Sequence, residues 1–144
     1  MQTDIQERCD RIEAGYEFML SYAAQGLLTD EGSASGKQLR EHLTRISEAL
    51  RGLDSSCAEL MKNEQLAPAE RYQAFFEVLA RDATNALVAF ELVLAQPAIS
   101  SQLIDNLNAS MHLRALLTDL FLITEILDLR QTQAKFTLQA DLRA

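Results

Sequence analysis

Between Lys37 and Met61 seven apolar residues keep one strict period: Leu39, Leu43, Ile46, Leu50, Leu53, Cys57 and Leu60, at spacings of 4, 3, 4, 3, 4 and 3. Residues so spaced share one face of an α-helix, whereas a strand would divide them between its two faces. The remaining positions include Lys37, Arg40, Glu41, Arg45, Glu48, Arg51 and Glu59, a mixed charged surface suited to water. A helix with a single apolar seam draws most of its stability from packing that seam. The seam therefore demands partner helices, and the chain supplies them.

Upstream, Ile5, Cys9, Ile12, Tyr16, Met19, Ala23 and Leu27 form a second seam, with Thr3 and Gln6 placed as a capping box before it. Downstream, Tyr72, Phe76, Leu79, Ala83, Leu87, Phe90 and Leu94 form a third, widened by Phe75, Val78, Val88, Leu92 and Val93. Pro68 suits the first turn of that helix, and Pro97 cannot continue it. A fourth segment starts near Ser100 or Ser101 and reaches at least Leu129. The breaks between segments read "LLTDEGSASGK", "KNEQLAPAE" and "AQPAIS".

Only 5 Gly and 2 Pro occur in 144 residues, too few for a turn-rich β fold. The expectation is an all-α single domain over residues 1–144, an antiparallel up-down-up-down four-helix bundle with helices at about 4–27, 37–61, 68–95 and 100–130. The tail "QTQAKFTLQADLRA" either extends the last helix or turns off as an arm.

The net charge of −8 argues against a sequence-independent grip on nucleic acid and against an anionic membrane surface. The most apolar window, Ala115–Leu129, is interrupted by carboxylates and is shorter than the ~20 residues of a spanning helix. The start, "MQTDIQERCD", lacks a basic stretch followed by an apolar run, so a cytoplasmic protein is expected. Cys9 and Cys57 both fall on apolar seams without CxxC spacing and read as small core residues.

A di-metal site in a helix bundle needs Glu-x-x-His pairs. The chain has two histidines, His42 and His112, and Leu39 and Ala109 stand three residues before them, so no metal or cofactor is expected. No local signature of a nucleophile is present, and "GSASG" lacks the strand-to-helix frame of a phosphate loop. No catalytic residue is expected.

The fourth segment is the unusual one. At 100° per residue, Asp119 falls inside an apolar face, with Leu116, Ile123 and Leu127 on one side and Ile126 and Ala115 on the other. His112 and Asp105 align with it at heptad intervals, while Glu125 and Asp128 belong to a separate polar band. The third and fourth segments also carry more apolar surface than one bundle core requires. The expected interface is therefore Asp105, His112, Leu116, Asp119, Ile123, Ile126 and Leu127, and the expected function is a non-enzymatic protein–protein interaction module: an adaptor, a chaperone or assembly factor, or an inhibitor. The partner is another protein, with a homodimer expected. The alternative is a bundle that binds a small apolar ligand or cofactor in its core.

Overall fold

The computed structural model of the chain describes residues 3–143. All regular structure among them is helical, as the periodicity predicts, but six helices stand where four are expected: α1 (Asp4–Ala23), α2 (Ala34–Arg51), α3 (Leu53–Glu64), α4 (Ala69–Leu94), α5 (Ser101–Ala109) and α6 (Met111–Arg143). Two of the predicted helices are each divided in two.

The first division is at Gly52, inside the strict seam. The Arg8 side chain from α1 lies against this position, and a Cβ on Gly52 would come within 2.5 Å of its guanidinium. From there Arg8 donates to the carbonyls of Glu48 and Ala49 at 3.3 and 3.0 Å, closing the C-terminus of α2. Its Nε–H donates to Ser56 Oγ at the start of α3 and to Asp4, both at 2.9 Å. One arginine thus occupies the bend and satisfies backbone carbonyls left open there. The second division is at Ser110, whose backbone is extended. Its hydroxyl accepts from Leu113 N–H at 3.3 Å and caps the start of α6.

Other helix ends follow their sequence signals. Thr3 Oγ1 caps α1 through Gln6 N–H at 3.2 Å, and Ser100 Oγ caps α5 through Leu103 N–H at 3.0 Å. The start of α2 lies earlier than expected: Ser33 is its cap, accepting from Gly36 N–H at 3.0 Å, so "ASG" is helix rather than loop. Gly36 is needed there, because a Cβ would collide with the Asp30 carbonyl. α1 ends at Ala23, four residues short of the expected limit. The predicted tail is helical: α6 continues without a break to Arg143.

The core takes nearly every seam residue. All seven positions from Leu39 to Leu60 are buried, as are Ile5, Cys9, Ile12 and Met19 of α1. Tyr16, Ala23 and Leu27 pack against it from its edge. α1 packs on α2, α3 and α5; α4 packs on α2, α3 and α6. Asp30 clamps the loop end. This buried carboxylate accepts from Arg40 Nε–H at 2.5 Å and from Ile99 N–H at 2.7 Å, while Arg40 also donates to the carbonyls of Leu94 and Gln96. No helix among the described residues is long and apolar enough to cross a membrane.

Candidate functional site

Asp119 is half-buried on α6, where it faces Asp82 of α4. Its Oδ2 is shut off from solvent and has no donor among the described residues. Two ionised carboxylates have no proton to share, so a hydrogen bond between them exists only when one is neutral. Burial, then the hydrogen bond to Asp82, then the charge of Asp82 push the Asp119 carboxyl up to about 7. Near neutral pH the pair therefore holds one proton on a substantial share of molecules.

The pair closes one end of an open apolar seam between α4 and α6. The two helices run antiparallel: Asp82 meets Asp119, while Arg130 reaches back to the end of α3, donating to the Glu64 carbonyl at 2.7 Å, close to where α4 begins. Below the carboxylates on α6 stand Leu122, Ile126 and Leu129, which are 50%, 36% and 58% exposed. Opposite them on α4 are Val78, partly exposed, and Phe75, half-buried. Above the pair, α4 continues its outer stripe with exposed Val88 and Leu92. Spacings of four and three hold Leu122, Ile126 and Leu129 to one face of α6.

The residues expected to form the interface divide into three groups. Leu116 and Ile123 are fully buried in the core and face inward. Asp105 and His112 are exposed, but Asp105 lies on α5 and His112 on α6, with the extended Ser110 between them. That residue resets the helical phase, so the stripe running from Asp105 to Asp119 does not exist as one face. Asp119, Ile126 and the half-buried Leu127 remain at the edge of the core.

Asp82 and Leu122 were not among the expected residues, yet they complete the seam. Asp82 stands four residues after Val78 in the surplus apolar stripe of the third segment, the same signal that singles out Asp119.

The groups with potential nucleophilic or ligand chemistry are engaged elsewhere. Cys9 and Cys57 are buried, and desolvation pushes both thiols up to about 12. His42 stacks on Phe18 with ring centroids 4.6 Å apart, and burial lowers its pKa. Comparison of the chain with protein-family profiles, curated proteins and solved structures finds no match.

Proposed function

We propose that the chain is a non-enzymatic protein–protein interaction module that binds a partner protein along the α4/α6 seam. The observation that carries this reading is the row of Leu122, Ile126 and Leu129, exposed on a helix whose other face is packed, beside exposed Val78 of the neighbouring helix. Contiguous apolar surface of this kind is costly in water and marks docking faces. The Asp82–Asp119 pair at its end favours a partner that brings a cationic or hydroxyl group among apolar ones, the chemistry that complements a pair of carboxyls. Adaptor, assembly factor and inhibitor all use such a face.

In this reading the six helices act as four rods in up-down-up-down order, with α2–α3 and α5–α6 as bent rods. The meeting of Ile5, Leu60 and Leu127 around one small cavity of about 40 Å³ supports it. Two free buried thiols suit a reducing compartment and support a cytoplasmic location.

The test is affinity capture from the native host with the wild-type chain and with a Leu122→Asp/Ile126→Asp variant, followed by mass spectrometry. A protein held by the wild type and lost from the folded variant is expected. Identical captures would refute the reading.

A further inference from the structure

The last part of α6 stands clear of the core. From Gln131 to Arg143 every described side chain is exposed, and among the described residues Arg130 is the last with a hydrogen bond to the body. Thirteen residues make a rod of about 20 Å. A helix of that length is marginal when it stands alone in water. Its sequence is nevertheless patterned. The core-facing positions Leu120 and Leu127 continue at helical spacing into Ala134, Leu138 and Leu142, and the two leucines are 62% and 79% exposed. The segment is also the wrong sign for this protein. Lys135 and Arg143 outnumber Asp141, so residues 131–144 carry +1 within a chain of −8, which leaves −9 on residues 1–130.

A matching receptor lies at the same end of the molecule. Between α3 and α4 lies an open groove of about 360 Å³, lined by Cys57, Ala58, Met61, Phe76 and Ala80 among others. Its rim is acidic, formed by Asp54 and Glu77. The small residues leave room for the ridge of another helix. α3 has 12 residues and is about 18 Å long, close to the 20 Å of the extension.

We propose that two copies of this chain dock end to end about a two-fold axis, each laying its α6 extension into the α3/α4 groove of the other. The extension enters from the end where α3 stops and α4 starts, so it runs antiparallel to α3. Leu138 and Leu142 then cover Met61, Ala58 and Phe76, and Arg143 comes beside Asp54 and Glu77. The contact is isologous: each copy gives one extension and one groove, which closes the assembly at two. Each basic extension also meets an acidic rim rather than an acidic body. This surface is separate from the α4/α6 seam, and the proposal stands or falls independently of partner capture there.

The experiment is light scattering after size exclusion at micromolar concentration. The wild type is expected at twice 16.1 kDa. Leu138→Asp/Leu142→Asp should give 16.1 kDa with the body of residues 3–130 still folded, because both side chains are exposed. A charge exchange isolates the groove. Lys135→Glu/Arg143→Glu and, separately, Asp54→Lys/Glu77→Lys should each weaken self-association at least tenfold, and mixing the two should restore a dimer. A monomeric wild type would overturn the proposal, as would a dimer that survives the leucine changes, or charge variants that fail to complement each other. Loss of the dimer with seam-dependent capture intact would leave the proposed function standing; the reverse result would leave the dimer standing.

Discussion

Asp119→Asn is expected to remove a pH dependence of folding that the wild-type chain carries between about pH 4 and pH 7. In the folded protein this carboxyl titrates near 7, raised from 3.8 first by burial and then by Asp82. Across that window the folded state holds a proton that the unfolded state has released. A group raised in this way favours folding at low pH, and stability falls as pH rises toward the folded value. Roughly three pH units at ~1.4 kcal/mol each set a ceiling of about 4 kcal/mol. Asp119 is only half-buried and water screens the pair, so a loss of about 1–2 kcal/mol is expected. The asparagine is neutral throughout and donates an N–H to Asp82. The assay is urea denaturation followed by circular dichroism at pH 5, 6, 7 and 8 in low salt. The wild type should weaken relative to Asp119→Asn by about 1–2 kcal/mol from pH 5 to pH 8, with the fall spread over pH 5 to 7 and levelling off above pH 7. Parallel stability curves for the two proteins would refute the carboxyl pair as described.

Three further outcomes follow from the packing. Gly36→Ala should destabilise by about 2–4 kcal/mol in urea denaturation, because the new Cβ meets the Asp30 backbone, which cannot swing aside. Asp30→Asn should cost about 2–4 kcal/mol at pH 7, since it leaves Arg40 without its carboxylate. Arg40 first, and Ile99 N–H after it, hold Asp30 below the usual carboxylate range, so the wild type should lose this contribution as pH drops below about 4 while the variant does not, as read by acid titration with circular dichroism. Cys9 and Cys57 should resist a thiol-specific maleimide at pH 8 in the native state and react fully in denaturant, as counted by intact mass.

Helical period alone determined much of this protein. The strict seam from Leu39 to Leu60 is buried at every position, because a core selects one face of a helix and the 4–3 spacing defines that face. The surplus apolar residues of the third and fourth segments were legible for the same reason, since Val88, Leu92, Leu122 and Leu129 exceed what one core stripe absorbs and remain exposed.

Tertiary structure alone decided the rest. The seam passes through Gly52 without a change of phase, so periodicity cannot register a bend that exists because Arg8, 44 residues away, lies over the glycine. Ser110 interrupts the fourth segment between two core leucines, Leu107 and Leu113, and only its extended backbone separates Asp105 from the Asp119 face. Leu116 and Ile123 flank Asp119 in projection but face the core, because the rotation of α6 about its axis is set by α4 and α5 and not by its own sequence. The neighbour of Asp119 could not be read from its segment at all. Asp82 lies 37 residues earlier, and a carboxylate acquires a shifted titration only from whatever the fold places beside it.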